Sequence, residues 1–279
     1  MSAGVRLGYL GPPGTFGEQA ALRYGPSATR IPFGSHAAII AAVAAGAADL
    51  GVVPVENSVE GAVNETVDLL IHDADLMMCA ELVLPVEQCL LLPAGSSPAD
   101  VRVIFSHPQA LGQCRRYIEQ HFPEAKLEAA LSTAAAVESL SRAMGSAAIA
   151  TRRAAEIYGA DVLECGIQDR ASNETRFVVV GRTDSLPTGY DKTSLAVGMA
   201  HDQPGTLVAV LSEFAQEAIN LTKIESRPSK DALGVYIFLI DFEGHRLDAR
   251  VTAVLERVRA RSNFFKVLGS YPRYQGTSA

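Results

Sequence analysis

The sequence predicts an α/β protein with two lobes, followed by a smaller domain with a ferredoxin-like βαββαβ plan. Three observations support this fold class. The chain has 279 residues, which fits two domains of about 100–200 residues each. Short apolar runs alternate with helix-like segments up to about residue 183, and the order of elements changes after a turn-rich break at 186–191. We therefore place a first domain at 1–183, a linker at 184–192, a second domain at 193–273 and a tail at 274–279.

The first domain alternates strands with helices. The apolar runs VRLGYL, DLGVVPV, VRVIF, AAIA and FVVVG are typical of strands buried on both faces. The segments AALRY, AAIIAAVAAG, ALGQCRRYIEQHF and TAAAVESLSRAM are typical of helices. This alternation favours mostly parallel sheets. A chain that leaves one lobe near residue 82 and returns near residue 165 forms two lobes with a cleft between them.

The second domain has a different order of elements. TSLAVGMA indicates a strand, and TLVAVLSEFAQEA an amphipathic helix. LTKIES and VYIFLIDF then indicate two strands, DARVTAVLERVRAR a helix and FKVLGSY a last strand. This βαββαβ order is that of the ferredoxin-like fold.

Composition and charge exclude several classes of protein. Apolar residues make up 48% of the chain and charged residues 20%, which is too apolar for a disordered protein. The net charge is −7 without a cluster of Lys and Arg, so we expect no nucleic-acid partner. The most apolar stretch, 37–48, is too short to span a bilayer, and we expect no membrane partner. The start of the chain shows no secretory signal, which predicts a cytoplasmic location.

The cysteines and histidines show no metal-binding spacing. Four cysteines occur without a CxxC pair, and we expect reduced, buried thiols, with Cys114 inside a helix. The six histidines form no HxH, HExxH or close Cys/His set. We therefore predict no metal.

Hydroxyl residues stand at the starts of several predicted helices. Thr15 precedes Glu18 by three positions, as in a capping box, and Ser106 and Thr133 also stand at helix starts. These residues act as simple caps, or their helix starts converge on one cleft and hold an anion with backbone N–H groups. The sequence alone does not separate the two interpretations. His107 follows an apolar strand, and strand ends are where ligands bind in open α/β sheets.

Two further segments concern the chemistry. GPPGTF follows a strand but lacks the Lys-Ser/Thr of a P-loop and is not G-x-G-x-x-G, so we expect no nucleotide. The polar cluster Asn173-Glu174-Thr175-Arg176-Phe177 leads into the strand FVVVG and is either a solvated loop or part of a site. No Ser-His-Asp order and no G-x-S-x-G elbow occur, which argues against a serine hydrolase.

Taken together, GPPGTF, PVENS, SHPQALGQC, NETRF, PGTL and INLTKIESRP resemble the motifs of prephenate dehydratases that carry a C-terminal ACT regulatory domain. The resemblance runs from about residue 5 to Pro272. It implies a bilobal first domain like type II periplasmic binding proteins. Two positions depart from the family pattern. Gly17 stands where the family usually has Ser or Thr, and Thr206 stands where alanine is common.

The resemblance implies that the chain converts prephenate into phenylpyruvate, water and carbon dioxide without a cofactor. It also implies feedback control by L-phenylalanine and a homodimer or homotetramer. Within this reading Thr175 donates to the leaving hydroxyl, and Arg176 binds a carboxylate through its planar fork. Two alternatives stay open. One is an arogenate dehydratase, and the other is a non-catalytic amino-acid-sensing binding protein.

The resemblance also assigns the site residues in three groups. The catalytic group is Thr175, Arg176, Ser106 and His107. The substrate-binding group is Thr15, Glu56, Asn57, Ser58, Gln113, Thr133, Asn173 and Phe177. The phenylalanine-binding group is Gly205, Thr206, Leu207, Asn220, Leu221, Glu225, Ser226 and Arg227.

Overall fold

The computed structural model describes residues 4–142, 144–199, 203–230 and 234–276. Three sheets organise these residues, one in each lobe of the first domain and one in the C-terminal domain. Together with the solved structures reported below, this arrangement confirms the predicted fold class. Within the described residues, no helix is both long enough and apolar enough to cross a membrane.

Lobe 1 is built on a mixed sheet in the order β2–β1–β3–β11–β5. Its strands are β1 (Arg6–Leu10), β2 (Thr29–Phe33), β3 (Leu50–Asn57), β5 (Met77–Pro85) and β11 (Glu174–Gly181), with the short β4 (Gly61–Ala62) beside β3. Its helices are α1 (Phe16–Tyr24), α2 (His36–Ala44) and α3 (Asn64–Asp68), followed by a π-helical turn at Leu69–Asp73.

Lobe 2 has a second mixed sheet in the order β10–β6–β9–β7–β8. Its strands are β6 (Cys89–Pro93), β7 (Val103–Ser106), β8 (Lys126–Ala129), β9 (Ser146–Ala150) and β10 (Ala160–Cys165). Its helices are α4 (Pro108–Gln113), α5 (Arg115–His121), α6 (Thr133–Glu138) and α7 (Arg152–Tyr158), with 3₁₀ turns at Pro98–Asp100 and Ser139–Arg142.

Two sequence predictions for this domain are wrong. The sheets are not mostly parallel, because the strands nearest the lobe crossings run antiparallel to their neighbours: β11 pairs antiparallel with β3 and β5, and β6 with β9 and β10. The helix predicted across 110–122 is two helices. Cys114 separates them, because its backbone (φ −112°, ψ 19°) lies outside the helical region.

The chain crosses between the lobes twice, through 86–88 and back through 166–173. A disulfide joins Cys89 at the start of β6 to Cys165 at the end of β10, which are also register partners in the sheet. The prediction of four reduced thiols is therefore wrong for this pair, since a separation of 76 residues gives no signal in the sequence. Cys79 and Cys114 are free, and burial raises the pKa of Cys114 to about 12.

The C-terminal domain follows the predicted βαββαβ order. Its strands form an antiparallel sheet in the order β13–β14–β12–β15, and its two helices share a core with one face of that sheet. The elements are β12 (Asp191–Met199), α8 (Thr206–Gln216), β13 (Leu221–Pro228), β14 (Tyr236–Glu243), α9 (Ala249–Ala260) and β15 (Ser262–Pro272).

The other face of this sheet packs on lobe 1. One apolar cluster contains buried residues of both domains, among them Val53, Met78, Val178, Ala196, Ile237, Leu239, Leu268 and Tyr271. The segment expected to be a linker is docked as well. Ser185 Oγ donates to the Cys79 carbonyl at 2.5 Å, and Arg246 Nε lies 2.6 Å from Asp184 Oδ2. The C-terminal domain is therefore held on lobe 1 both by a shared apolar cluster and by polar contacts of the segment that joins them.

Candidate active site

A cavity of about 360 Å³ lies between the two lobes. Lobe 1 contributes the starts of α1 and α2 and the cleft ends of β3 and β11, and lobe 2 contributes the starts of α4 and α6. The first lobe crossing adds Val86 and Gln88. Its lining is mostly apolar, with Leu10, Phe16, Pro54, Val63, Val86, Ala110, Leu131 and Phe177. A cavity of this kind suits a small organic ligand.

The helix starts converge on this cavity. Thr15 and Ser132 cap α1 and α6, because their hydroxyl oxygens accept from the N–H groups of Glu18 and Ala135. Both capping residues also line the cavity, as do His36 at the start of α2 and His107 at the start of α4. Of the three hydroxyl residues considered in the sequence, Thr15 is a cap, whereas His107 and Ser132 cap the helices after Ser106 and beside Thr133. The helix N-termini do point at one site, and their binding of an anion stays a prediction.

The described residues that line the cavity include no Lys, Arg, Asp or Glu. The imidazoles of His36 and His107 are the ionisable side chains in that lining. A bound anion therefore depends on backbone N–H groups and hydroxyls. The first-turn N–H groups of a helix have no partner within the helix, and they lie at its positive end. Thr133 adds a hydroxyl beside the first-turn N–H groups of α6.

Thr175 is held by a buried amide network on the lobe 1 side of the cavity. Asn57 Nδ2 donates to Thr175 Oγ1 at 2.9 Å and to Asn173 Oδ1 at 2.8 Å. Asn57 Oδ1 accepts from the backbone N–H groups of Val59 and Glu60. Asn57 thus uses both amide hydrogens and its oxygen, and its rotamer is fixed. Thr175 accepts from Asn57, which leaves its own hydroxyl hydrogen available to a ligand.

The partners of the two imidazoles assign their ring hydrogens. His107 Nδ1 accepts the Gln109 N–H at 3.3 Å, so a neutral His107 carries its hydrogen on Nε2 and is a donor there. His36 Nδ1 lies 3.2 Å from Glu65 Oε2. An ionised carboxylate only accepts, so His36 carries a hydrogen on Nδ1.

Arg176 corrects the sequence prediction. Successive side chains on a strand point to opposite faces, so Thr175 and Phe177 line the cavity while Arg176 points away from it. The Arg176 guanidinium donates to Glu81 Oε2 at 2.8 Å, Asp241 Oδ2 at 2.7 Å and Tyr271 Oη at 2.8 Å. These bonds occupy it at the contact with the C-terminal domain. The prediction that Arg176 binds a substrate carboxylate is therefore wrong for this structure.

Comparison with known proteins identifies the family of the chain. The chain matches the prephenate dehydratase family over residues 7–185 and the ACT domain family over residues 193–260. The first match alone covers more than half of the chain. This chain belongs to the prephenate dehydratase family.

Curated relatives of this prephenate dehydratase family member share about two-fifths of its residues. The bifunctional chorismate mutase/prephenate dehydratase of Pseudomonas aeruginosa is 40% identical over 270 residues, covering 96% of this chain and 73% of that protein. The prephenate dehydratase of Mycobacterium tuberculosis (strain H37Rv) is 40% identical over 280 residues, covering 96% of this chain and 87% of that protein.

Two solved structures are also similar. The prephenate dehydratase of Arthrobacter aurescens, solved in complex with L-Phe, has a TM-score of 0.88 and 37% identity, covering 96% of this chain and 90% of that one. GqqA, described as a novel type of quorum quenching acylase, has a TM-score of 0.87 and 31% identity, covering 97% of this chain and 98% of that one.

The structure brings some of the predicted site residues of this dehydratase family member together and not others. The cavity is lined by Thr15, Asn57, His107, Gln113, Thr133, Thr175 and Phe177. Asn173 lies behind this lining and orients Asn57. Glu56, Ser58 and Ser106 are outside the lining, so the structure does not bring these three predicted residues into the cavity.

Each of those three residues has another structural task. Ser106 is fully buried, and its hydroxyl donates to the Ile149 carbonyl at 2.6 Å. Glu56 points to the opposite face of β3 from Asn57, where Lys223 Nζ lies 3.2 Å from its carboxylate. Ser58 ties the loop after β3 to the start of β11, because its hydroxyl accepts the Glu174 N–H at 2.9 Å.

Sequence reasoning missed four polar residues of the cavity, which are His36, Gln88, Gln109 and Ser132. Gln88 lies in the lobe crossing, where no motif marks it, and its side chain becomes part of the site only when the lobes meet. It is 3% exposed, and its Oε1 has no hydrogen-bond partner. His36 Nε2 is likewise buried without a partner. The hydroxyl of Ser35 before a helix was the available signal for His36.

Gly17 is accommodated by close packing. A Cβ at this position would lie 2.9 Å from the Leu10 carbonyl oxygen, which already accepts the Thr15 hydroxyl at 2.8 Å. The family's usual Ser or Thr would therefore require α1 to shift away from β1 in this chain. The smaller residue lets the first turn of α1 approach the strand end that lines the cavity.

The predicted phenylalanine-binding residues separate into two groups. Gly205, Thr206 and Leu207 lie at the start of α8, where Gly205 adopts a positive φ of 90°, and Asn220 and Leu221 lie at the start of β13.

Glu225, Ser226 and Arg227 lie on β13 itself. Ser226 is exposed, but Arg227 is 6% exposed and bound within the chain. Its guanidinium donates to Asn64 Oδ1 at 2.8 Å and to Glu225 Oε1 at 2.9 Å, and it pairs with Asp68. These contacts hold Arg227 within the chain, and its role as a ligand for phenylalanine between two chains stays a prediction.

Among the described residues, one group has the proximity that a metal ion requires, namely Glu87, Cys89 and Cys165. Its two sulfurs are joined as a disulfide and so offer no thiolate ligand. The absence of a metal cofactor stays a prediction.

Proposed function

We propose that the cavity between the lobes binds prephenate and converts it to phenylpyruvate, with Thr175 as the hydrogen-bond donor to the departing hydroxyl. The observation that carries this proposal is the position of Thr175. Its hydroxyl is oriented by Asn57 and faces an apolar cavity whose described lining has no ionisable side chain other than two imidazoles. Membership in the prephenate dehydratase family names the reaction, and this geometry supports the residue.

The chemistry requires little from the protein. The bond from the ring carbon to its carboxylate breaks, carbon dioxide leaves, and the electron pair enters the ring. The bond from the opposite ring carbon to the hydroxyl breaks, and the ring becomes aromatic. The departing oxygen takes up one proton and leaves as water. Prephenate dianion plus one proton thus gives phenylpyruvate anion, carbon dioxide and water, and no redox cofactor enters this balance.

The dianion is held by neutral donors in this proposal. The N–H groups at the starts of α1 and α6 and the Thr133 hydroxyl face the cavity region. Such donors are stronger in a site that excludes water. Neutral donors also suit a reaction in which one carboxylate loses its charge. Weak hydration of that group favours its departure as neutral carbon dioxide.

The proton comes from the cavity rather than from Thr175 itself. A threonine hydroxyl is too weak an acid to be a free source of protons near neutrality. We assign Thr175 the task of a positioned donor that relays a proton from water or from the imidazolium form of His107, because the N–H of a neutral imidazole is as weak an acid as a hydroxyl. One well-aimed donor is worth about 3 kcal/mol in a transition state.

Regulation by L-phenylalanine is the second part of the proposal. The Arthrobacter aurescens relative was solved with L-Phe, and this chain carries the same kind of C-terminal domain. Gly205, whose positive φ lets a ligand approach the backbone, follows the end of β12. The strand register places Leu221 level with Thr193, near the other end of β12, so the two predicted segments lie apart within one chain. β13 is an edge strand of its sheet. We propose a homodimer or homotetramer in which these edges take part.

Two other substrates compete with prephenate. Arogenate carries an amino group where prephenate has a keto oxygen, and no described residue of the cavity selects against it. The similarity to GqqA makes an acylase activity an alternative function. Among the described residues that line the cavity, no hydrogen bond joins a hydroxyl to an imidazole, as a serine or threonine nucleophile requires. A non-catalytic sensor is the third alternative.

Parallel kinetics with prephenate and arogenate test the proposal. We expect kcat/KM for prephenate to exceed that for arogenate at least about 10-fold, with phenylpyruvate as the product and with inhibition by added L-phenylalanine. Turnover of neither compound by the folded full-length protein, together with calorimetric binding of phenylalanine, would identify a sensor. Turnover that needs an added divalent metal after chelation would contradict the metal-free chemistry.

We also propose a cytoplasmic location, which cell fractionation tests. The family membership supports it. The Cys89–Cys165 pair is the feature that opposes it, because disulfides are rare in a reducing cytosol.

A further inference from the structure

We propose that Arg176 is a positioning residue that ties the active-site strand to the ACT domain, so that Asp241 and Tyr271 of the ACT domain set the geometry of Thr175. This inference rests on the proposed function and goes beyond it. It assigns the transmission of the regulatory signal to one side chain within a single chain.

The first step is the completeness of the Arg176 contacts. The side chain is 14% exposed, and its Nε, Nη1 and Nη2 atoms each have a partner within 2.8 Å. One partner, Glu81, belongs to lobe 1, and two, Asp241 and Tyr271, belong to the ACT sheet. A buried planar fork with three fixed partners holds its own strand in register with all three.

The ACT side of this contact is a closed ring of hydrogen bonds. Ser194 Oγ donates its single hydrogen to Asp241 Oδ1 at 2.6 Å, so Tyr271 is the donor in its 2.6 Å bond to Ser194 Oγ. Tyr271 in turn accepts from Arg176, and Arg176 donates to Asp241. Each member therefore depends on the positions of the others.

Charge reinforces the ring. Lys192 Nζ donates to both oxygens of Glu81 at 2.9 Å, so a further ACT residue holds the lobe 1 partner of Arg176. Burial alone lowers the pKa of Arg176, but the facing Tyr271, Asp241 and Glu81 raise it well above its ordinary value. The guanidinium stays charged, and its attraction to the ACT carboxylate is not switched off within the working pH range.

The second step is the distance along the chain to the chemistry. Arg176 follows Thr175 directly on β11. The register of β11 against β3 pairs Thr175 with Asn57 and Arg176 with Glu56. The two neighbouring positions thus present one pair of side chains to the cavity and the other pair to the ACT domain. A shift of the ACT sheet that moves Arg176 moves the backbone that carries Thr175.

The third step is the contrast with other contacts between the same domains. Lys266 on β15 donates to the carbonyls of Leu70, Ile71 and Ala74 at 2.8, 3.1 and 2.6 Å. This half-buried cation also docks the ACT sheet on lobe 1, but none of its partners lies on β11 or β3. A substitution of Lys266 therefore affects docking of the domain without affecting the position of Thr175.

The experiment compares Tyr271→Phe and Asp241→Asn with Lys266→Met in the full chain. For the first two variants we expect kcat with prephenate to fall about 3- to 10-fold while KM changes less than about twofold. We also expect the phenylalanine concentration for half-inhibition to rise at least about 5-fold, the lower end of typical coupling, while calorimetry still detects phenylalanine binding. Lys266→Met should keep the wild-type kcat and inhibition.

The outcomes separate this inference from the proposed function. Wild-type kcat and inhibition in both Tyr271→Phe and Asp241→Asn overturn the positioning role. Equal uncoupling in Lys266→Met overturns it too, because domain docking in general then carries the signal. A wild-type protein without prephenate turnover, or without any response to phenylalanine, would instead reject the proposed function. If Asp241→Asn fails to fold, the near-isosteric Tyr271→Phe decides the matter.

Discussion

The two faces of β11 and β3 differ in how they treat polar groups. The face toward the cavity presents Thr175 and Asn57, which are neutral, and the Thr175 hydroxyl leaves a hydrogen for a ligand. The face toward the ACT domain presents Arg176 and Glu56, which are charged and paired within the chain. One stretch of backbone thus has a free hydrogen-bond donor on one face and only paired polar groups on the other. Residues adjacent in sequence consequently have different functions.

This difference shows why a motif is not a functional unit. The triplet Thr175-Arg176-Phe177 invites the interpretation that all three residues contact substrate. The alternation of side chains along a strand assigns the outer two to the cavity and the middle one to the other face. Experiments that substitute a residue on only one face test whether the two faces differ in this way.

The largest effect is expected from Arg176→Met, and it should fall on stability. The substitution leaves the carboxylates of Glu81 and Asp241, each 3% exposed as side chains, without their central partner. Breaking a buried ion pair on one side costs about 3–5 kcal/mol. Urea unfolding measures this loss. Arg115→Met is the matched control, because Arg115 is exposed and pairs with Glu119 one turn away, where a pair contributes about 0.3–0.5 kcal/mol. A raised KM with unchanged stability would instead make Arg176 a substrate ligand.

The second effect is expected from Thr175→Val, and it should fall on catalysis. The variant keeps the shape of the side chain and removes the hydroxyl that faces the cavity. Loss of one transition-state donor lowers kcat about 100-fold or more. Because Asn57 loses one of its acceptors, a small decrease in stability accompanies the change. Steady-state kinetics and thermal unfolding measure the two effects together. Nearly normal kcat in the folded variant would remove Thr175 from the chemistry.

The smallest effect is expected from lowering the pH. It should reduce the stability that Asp241 contributes on the face toward the ACT domain. Burial raises the pKa of Asp241, but Arg176 and the Ser194 hydrogen bond lower it overall. A carboxyl whose pKa is lowered by folding stabilises the protein above its unfolded pKa of about 3.9, and this contribution is lost as the pH falls through the folded value. The stability gap between wild type and Asp241→Asn should therefore narrow below about pH 4.

Urea unfolding of both proteins from neutral to acidic pH measures that gap. Glu119→Gln serves as the comparison, since Glu119 is exposed and away from the ACT contact. A gap that stays constant at every pH would show that Asp241 acts through shape rather than through its charge.

The sequence predicted most of the architecture because periodicity and order carry it. The βαββαβ order of the second domain and the alternating elements of the first were both visible in apolar spacing. Sheet direction was not, since a buried apolar strand looks the same in parallel and antiparallel pairs. The disulfide was invisible for a related reason. Cys89 and Cys165 become neighbours only because two distant strands pair at the lobe crossings.

The candidate site was predicted in part. Residues whose motif lies at a helix start or a strand end, such as Thr15, His107 and Thr175, do reach the cavity. Residues whose side chain points through the sheet or into it, such as Arg176 and Ser106, do not. Gln88 was missed because its place in the cavity depends on the meeting of two lobes. Local spacing shows where a residue lies along an element but not which neighbour the tertiary structure gives it.

The apolar cluster shared by lobe 1 and the ACT sheet has a consequence for cooperativity. Lobe 2 has clusters of its own, whereas Val53 and Val178 of lobe 1 pack in one core with Leu239 and Leu268 of the ACT domain. A cooperative unit is bounded by its core rather than by the order of its sequence. The natural seam of this protein therefore runs through the crossings at 86–88 and 166–173, inside the first domain, and not through the boundary near residue 185. A regulatory domain that shares its interior with half of the enzyme cannot be exchanged between relatives without carrying that interior with it.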